Sequence, residues 1–299
     1  MKFSKTKFQQ IRLAYTFLLP TFIIIGTFQI YPMTRAFILS LWEYSPLAPG
    51  GGKFVGLGNF TRLLHDASFW LALKNSVLYL LVVPVIIILS MGLAILVEPK
   101  IPFINFFRAC YYIPVVTMMV VVALVWKLIF DTDHGVLNHI LKQIGLLKNG
   151  VPWLTHPKIA FFMVMTVTVW KGLGYYMVIF IVGLRAIPRQ MLEASMIDGA
   201  SWFQTLRHVK IPMLWPSITL VSIISSISAL QVFEEIYIMT KGQLNTATLV
   251  YQIFDTGLSM EHGGQLEMGY ACAMGVVLFI LLFIFSFFTI KGMGKFHTT

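Results

Sequence analysis

Five stretches of this chain run for 18 to 23 residues without one Asp, Glu, Lys or Arg. They lie between Arg12 and Arg35, Lys74 and Glu98, Arg108 and Lys127, Lys210 and Glu234, and Glu267 and Lys291. A helix needs about 20 mostly apolar residues to cross the hydrocarbon of a bilayer, so each stretch is long enough, or nearly so, to span it. A sixth apolar run, Ile159 to Gly183, is interrupted only by Lys171 near its midpoint. Of 299 residues, 58% are hydrophobic and 11% charged, where a soluble domain carries about 25% charged residues. So few charges cannot cover a water-facing surface when 14% of the residues are aromatic. The sequence therefore predicts an all-α polytopic membrane protein with six transmembrane helices, approximately Leu13 to Ser40, Asn75 to Val97, Ala109 to Ile129, Ile159 to Gly183, Ser217 to Thr240 and Met268 to Ile290.

Basic residues set the orientation, because cytoplasmic loops hold an excess of Lys and Arg. With the N-terminus inside, segments 1–12, 98–108, 184–216 and 291–299 contain 12 of the 22 basic residues and only three acids, Glu98, Glu193 and Asp198. Nearly the whole formal charge of +10 then sits on one side, and both termini are expected in the cytoplasm. Lys2, Lys5, Lys7 and Arg12 look like the start of a signal peptide, but the apolar run that follows is too long and lacks a small-x-small cleavage pattern, so the span is expected to be retained. The basic balance does not imply nucleic acid. A phosphate-binding stripe would gather on one soluble face, whereas these charges flank apolar spans and suit an anionic inner leaflet. Cys110 and Cys272 fall inside predicted spans and read as small core residues rather than a disulfide or metal pair.

Between the first two spans, Pro46, Pro49 and Gly50 to Gly52 lead to Asn59 and a short helix through Leu63, Leu64 and Trp70, an ordered external loop. Gly52 and Lys53 do not make a phosphate loop, since Phe54 replaces the required Ser or Thr and Leu47 occupies the first glycine position. Asn59 sits in an Asn-Phe-Thr sequon after Gly58 and reads as a helix N-cap. In the second external stretch, Asp131 to Lys158, the residues Val136, Leu137, Ile140, Leu141 and Ile144 recur at helical spacing with His139, Lys142 and Gln143 on the other side. Such a helix can lie along the membrane surface or cover the mouth of a pathway.

The longest cytoplasmic segment, Leu184 to Pro216, is the least loop-like. Pro188 can open a helix that presents Met191, Leu192, Ser195 and Met196 and closes at Asp198 and Gly199. Ser201 and Gln204 match the Ser-x-x-Gln capping pattern for a second helix, through Trp202, Phe203, Leu206 and Val209 to a stop at Pro212. Two short amphipathic helices with aromatic residues on their surface make a docking surface.

Glu193, Ala194, Ser195, Asp198, Gly199 and Ala200, followed by Ile211, Pro212, Met213, Leu214 and Pro216, resemble the "EAA" loop of permease subunits in binding-protein-dependent ABC importers. The likeness continues upstream through Trp170, Lys171, Gly172, Gly174, Leu184, Ile187 and Pro188. Downstream, Gln231, Val232, Phe233, Ile236, Tyr237, Met239, Thr240, Gly242, Thr248, Leu249, Gly269, Tyr270 and Ala271 are similar to the carbohydrate-uptake branch. Leu19, Pro20, Tyr31 and Pro32, with Phe54 to Leu57, Asn59 and Phe60, resemble the first permease of such systems rather than the second. Ser195 departs from the motif's second alanine, and Lys241-Gly242-Gln243 stands where relatives have a more glycine-rich turn.

The resemblance implies the type I ABC importer transmembrane fold in a bacterial inner (cytoplasmic) membrane. It also implies partners: a second homologous permease, two ATP-binding subunits that carry ATP and Mg, and an extracytoplasmic sugar-binding protein. The cargo it implies is a sugar, an oligosaccharide or glycoside; a polyol phosphate or other small solute is the alternative for the same machinery. No cofactor and no enzymatic activity are expected of this chain itself. On this reading residues 1–70 form the tail, first span and external loop, 71–290 the transmembrane domain with its coupling loop at 184–216, and 291–299 a cytoplasmic tail. In the family this loop sits in a cleft of the ATPase. Met191, Met196, Trp202 and Phe203 would then give apolar contact, while Glu193 and the Asp198–Gly199 turn fix the loop's geometry; Ala194, Ser195 and Ala200 belong to the same ATPase-coupling set.

A cation at mid-bilayer costs about 2.5 to 3.5 kcal/mol on insertion scales, so Lys171 either faces a wet cavity or is paired with an acid on another helix. Trp170, Lys171, Gly172, Gly174, Tyr175 and Tyr176 combine aromatic surface with hydrogen-bonding groups, a mixture suited to sugars. In maltose-type relatives this helix lines the substrate pocket, which brings forward Lys171, Gly172 and Tyr175, with Tyr176 beside them. On the fifth helix, Ser222, Ser225, Ser226 and Ala229 form a stripe that serves packing or pocket. Ser228, Gln231 and Glu235 share a neighbouring face. Gln231 is expected to meet sugar, and Glu234 or Glu235 to pair with Lys171 or to face the external vestibule. The seven histidines, His65, His134, His139, His156, His208, His262 and His297, lack ligand spacing. There is no Gly-x-Ser-x-Gly elbow, no His-Glu-x-x-His run and no pair of intramembrane acids of the kind a proton-driven carrier uses. A stand-alone channel or secondary carrier would leave the helices at 189–209 without a role, and an intramembrane enzyme would need a nucleophile with a base or a metal cluster, which the sequence does not offer.

Overall fold

The computed structural model describes residues 5–48, 50, 52–97, 104–259 and 266–294. Lys2, Glu98, Lys100, Lys295, His262 and His297, with Pro49 and Gly51, lie outside them. Four helical runs are long and apolar enough to cross a membrane: Gln9–Leu39, Ala67–Val97, Ala160–Arg185 and Met268–Phe287. Two further spans are bent pairs, so the count of six is reached only with broken helices. The chain forms two compact units, one of Met1–Asp66 with Ile253–Phe279, the other of Ala67–Gln252 with Ile280–Thr299.

In the first unit, α1 (Lys5–Ile25) passes through one wide turn, Gly26–Ile30, into α2 (Tyr31–Leu39). The wide turn, closed by the Tyr31 N–H on the Gly26 carbonyl, takes up the helical strain at Pro32, which has no N–H to give. Large apolar side chains along this run, such as Phe17 and Phe28, are exposed, as lipid- or subunit-facing positions require. A short antiparallel pair, β1 (Trp42–Glu43) and β2 (Lys53–Phe54), sets Trp42 opposite Phe54, and α3 (Gly58–His65) follows. Asn59 is not the N-cap expected of it: Leu57 holds that position. Asn59 lies buried in the first turn and donates to the carbonyls of Ser40 (2.9 Å) and Trp42 (3.0 Å), holding the root of the hairpin. Arg62 pairs with Glu267 at 2.8 Å and lies over the ring of Tyr270, whose hydroxyl donates to Asp66 at 2.6 Å. These bonds fasten the α3 end of the hairpin segment to the start of the last span.

The second unit begins with α4 (Ala67–Tyr79) and α5 (Val82–Val97), so the second span starts at Ala67 rather than Asn75 and takes in Trp70. Next come α6 (Ile104–Val116) and α7 (Met119–Ile129), bent by 100° where a continuous span from Ala109 to Ile129 was expected. Cys110 is exposed on α6 rather than packed in a core. After α8 (Val136–Gln143) comes α9 (Ala160–Arg185), the central helix, whose Val164, Met177 and Phe180 are fully buried against α5 and neighbouring helices. Gly174 makes one such approach possible: a Cβ there would strike the backbone carbonyl of Tyr111 on α6.

Beyond α9 lie α10 (Arg189–Ile197), α11 (Trp202–Thr205) and α12 (Ile211–Met213). Pro212 does not stop the second short helix as expected. A wide turn over Leu206–Lys210, again closed five residues back, carries the helix past the proline to Met213. α13 (Trp215–Leu230) starts at an angle of 63°. It ends at Leu230, and α14 (Glu234–Met239) resumes after Phe233, so the fifth span is also broken where Ser217 to Thr240 was expected to be continuous. The carbonyl of Val232, freed by that break, accepts a hydrogen bond from the Thr248 hydroxyl at 2.9 Å. Asn75 donates to the carbonyls of Asn245 and Ala247, and Ser76 accepts from the Leu249 N–H, so the turn after α14 is held to α4. α15 (Leu249–Leu258) and α16 (Met268–Gly294) are the last of the described helices.

Gly174→Ala should separate α6 from α9 and cost about 1–3 kcal/mol, the usual range for overpacking. Gly92→Ala on α5, where nothing lies within 4 Å of the added carbon, should be neutral or better. Thermal unfolding of both variants in one detergent checks the pair.

Candidate functional site

The two helix breaks face a common space. A cavity of about 450 Å³ in the second unit is lined by Val115 and Met119 from the two arms of the α6–α7 bend, and by Gln231, Val232 and Phe233 at the α13–α14 break. Interrupted backbone in a span is tolerated where it lines a protein-enclosed or watered cavity, and both breaks line this one. All eight residues expected at the pathway lie on this wall: Lys171, Gly172, Tyr175 and Tyr176 from α9, Ser225 from α13, and Gln231, Glu234 and Glu235.

Their arrangement is amphipathic. Tyr175 and Tyr176 meet edge to face at 5.1 Å, one ring exposed and the other buried. Gly172 leaves room for the Tyr176 ring, which would lie 3.2 Å from a Cβ at that position. Ser225 is bonded to its own helix at the Val221 carbonyl, 2.6 Å away, so its hydroxyl hydrogen is already used. Ser222 does not line the cavity, and Ser226 is buried. Among the described residues no ion pair joins Lys171 to Glu234 or Glu235; the expected alternative of a salt-bridged lysine is therefore replaced by a lysine and two carboxylates on one wall.

Glu235 has a different attachment, missed in the sequence. The Thr168 hydroxyl donates to Glu235 Oε1 at 3.2 Å, which leaves Tyr79 to donate its own hydrogen to Thr168 Oγ1 at 2.6 Å. This chain of bonds ties α4, α9 and α14 together. Thr168 had a legible signal, because it lies three residues before Lys171 and seven before Tyr175 on the same helical face. Tyr79, fully buried on α4, had none.

The second group of expected residues sits on α10 and α11. The first helix ends in a double-bonded glycine turn: Gly199 N–H donates to the Met196 carbonyl and Ala200 N–H to the Ser195 carbonyl, with Gly199 at φ +72°. Ser201 then starts the second helix with a complete capping box, its hydroxyl accepting from Gln204 N–H while Gln204 Oε1 accepts from Ser201 N–H. Ser195, 8% exposed, donates to the Leu192 carbonyl at 2.8 Å and shares a 3.3 Å hydrogen bond with Thr205 across the two helices. Met191, Met196, Trp202 and Phe203 are exposed, as are Glu193, Ala194, Asp198 and Gly199, while Ala200 is half-buried. Ile197, overlooked in the sequence, is the most exposed large apolar residue of the group at 86%.

Residues 67–291 match the family of the binding-protein-dependent transport system inner membrane component. The chain belongs to this family and is a membrane-embedded transport component rather than an enzyme; ATP binding falls to a separate ATPase. Among its relatives, a probable ABC transporter permease protein of Pyrococcus horikoshii is 32% identical over 90% of this chain and 91% of its own. The lactose transport system permease LacF of Rhizobium radiobacter is 32% identical over 91% of each chain. The trehalose/maltose transport system permease MalF of Thermococcus litoralis is 30% identical over 98% and 97%. In fold the chain is similar to a chain from the crystal structure of a bacterial alginate ABC transporter in complex with alginate pentasaccharide-bound periplasmic protein, at a TM-score of 0.85, 22% identity and 98% coverage of both chains. The type I importer fold expected from the sequence is therefore the fold observed.

Gly199→Ala meets no atom within 4 Å, so its cost is that of left-handed backbone alone, about 1 kcal/mol. Faster amide hydrogen exchange across 196–204, with the rest of the chain unchanged, is the expected outcome.

Proposed function

We propose that this chain is one half of the translocation pathway of an ATP-driven carbohydrate importer, with an oligosaccharide or glycoside as cargo. The observation that carries this reading is the cavity at the two helix breaks, where exposed Tyr175 stands beside Lys171, Gln231 and Glu234. Aromatic rings cover the C–H faces of sugars, and side-chain amides, carboxylates and ammonium groups meet their hydroxyls. Relatives named for lactose and for trehalose/maltose transport support the same cargo class.

Residues 71–290 act as the translocating domain. A second homologous permease completes the cavity, and both termini and the α10–α12 loop face the cytoplasm, in keeping with their excess of basic residues. There the exposed Met191, Met196, Ile197, Trp202 and Phe203 dock on one of two ATPase subunits, and the Ser195–Thr205 bond and the Gly199 turn keep the two helices at a fixed angle. An extracytoplasmic sugar-binding protein delivers the cargo. Closure of the ATPase pair moves α10 and α11 as a rigid body, which alternates the side to which the cavity opens.

The testing experiment is affinity purification of the tagged chain from its native membrane, followed by mass spectrometry and reconstitution. A co-eluting ATPase, a second six-span protein and sugar uptake that requires ATP are expected. A chain that purifies alone and transports solute without ATP would overturn the reading. In the reconstituted complex, Tyr175→Ala should lower uptake about tenfold by loss of ring contact worth about 1 kcal/mol or slightly more, with ATPase assembly intact. Replacing Gln231, Glu234 and Glu235 together by Ala should abolish uptake while the complex still forms. Uptake unchanged in the triple variant would remove this wall from the pathway.

A further inference from the structure

The stretch between α7 and α9 is folded around one side chain. Asn138, 1% exposed, donates through Nδ2 to the carbonyls of Thr132 (3.0 Å), Val151 (2.9 Å) and Asp131 (3.3 Å). Its Oδ1 accepts from the Val151 N–H (3.1 Å) and from Trp153 Nε1 (2.9 Å). Leu137, Trp153 and Leu154 pack against the core of the second unit. The underside of α8 is thus fixed to the protein, and its register cannot turn.

What α8 leaves outward is divided along its length. Val136, Ile140 and Ile144 run along one edge at 56%, 48% and 61% exposure, continued by Leu146 at 69% beyond the Gly145 turn. His139, Lys142 and Gln143 take the other edge, where Gln143 and His139 are bonded at 3.0 Å. An apolar row of this size facing water would be unfavourable, and α8 lies between two spans, starting seven residues after α7 ends at Ile129. That topology keeps it on a short tether from the end of α7. Lys142, Lys148 and Lys158 outnumber Asp131 and Asp133 in the stretch 131–158, and Asp131 is engaged by the N–H groups of Asp133 and His134.

We propose that α8 is an interfacial anchor whose apolar edge lies in the headgroup–acyl boundary of a leaflet containing anionic phospholipid, with Lys142 and Lys148 toward the lipid phosphates. The occupant follows from the place of this apolar edge between two membrane-spanning helical segments and from the positive balance of charge around it. Only the choice of leaflet rests on the orientation proposed above.

The test uses the full transporter complex in nanodiscs, in a Cys110→Ser/Cys272→Ser background that retains its elution profile. An environment-sensitive fluorophore is placed at Ile140→Cys, at Ile144→Cys and, as a control, at Asn149→Cys. Blue-shifted emission is expected at 140 and 144, with at least about half of it quenched by lipids brominated near the headgroup, and water-like, unquenched emission at 149. Quenching should be stronger with phosphatidylglycerol than in wholly neutral discs, and Lys142→Glu/Lys148→Glu should remove that difference. Water-like emission at 140 and 144, or cross-linking of these positions to another subunit, would overturn the anchor. Equal quenching in neutral and anionic discs would overturn the preference for anionic lipid. None of these readouts depends on transport, so failure of the carbohydrate reading would leave them unchanged.

Discussion

Inside hydrocarbon a peptide group can bond only to another peptide group, to a side chain or to enclosed water, and every unbroken helix of this chain meets that demand within itself. Two spans do not. The bend after Val116 and the break between Leu230 and Glu234 open the backbone, and the chain answers at the second with a remote hydroxyl, that of Thr248 on the Val232 carbonyl. Once the backbone is opened there, space remains beside it, and the polar residues of α9 face that space. The cavity is in this sense a consequence of where helical hydrogen bonding stops.

Around the cavity, rigidity and adjustability are distributed unevenly. α9 is fully packed on one side, with Gly174 against the α6 backbone, and exposes its polar face on the other. The Tyr79–Thr168–Glu235 chain of bonds restrains the short helix α14, which has only six residues and little internal hydrogen bonding of its own. Elsewhere, α10 and α11 are joined by a glycine turn, a capping box and the Ser195–Thr205 bond. Serine in place of the motif's alanine adds a tie between the two helices that an alanine could not make.

Much of this was legible in the residue order. Five charge-free windows, and a sixth apolar run broken only by Lys171, marked the spans because the cost of a charge in lipid is large compared with any helix propensity, and Ser201, Gln204 and Gly199 announced their caps because those interactions are local. The cavity-lining residues were legible for a related reason: Lys171 and Glu234 are conspicuous wherever charge is scarce. The failures were non-local. Nothing at Thr117–Met118 or Gln231–Phe233 is a proline or a glycine, and the group that satisfies the second break stands 16 residues away. Asn59 looked like a cap until the hairpin carbonyls, 17 and 19 residues earlier, took its amide. Tyr79 could not be connected to Glu235 without the fold that brings α4 beside α14.

The bond from Thr248 to Val232 also bears on how such a chain can drift. Position 248 is buried, carries a hydroxyl and answers a carbonyl that an unbroken helix would not have exposed. Serine could replace it, whereas valine, nearly the same shape, would leave the carbonyl bare. Wherever descendants of this sequence keep their fifth span interrupted, the two sites should change together or not at all, and a chain that lost the hydroxyl would be under pressure to rewind the helix and close the cavity beside it.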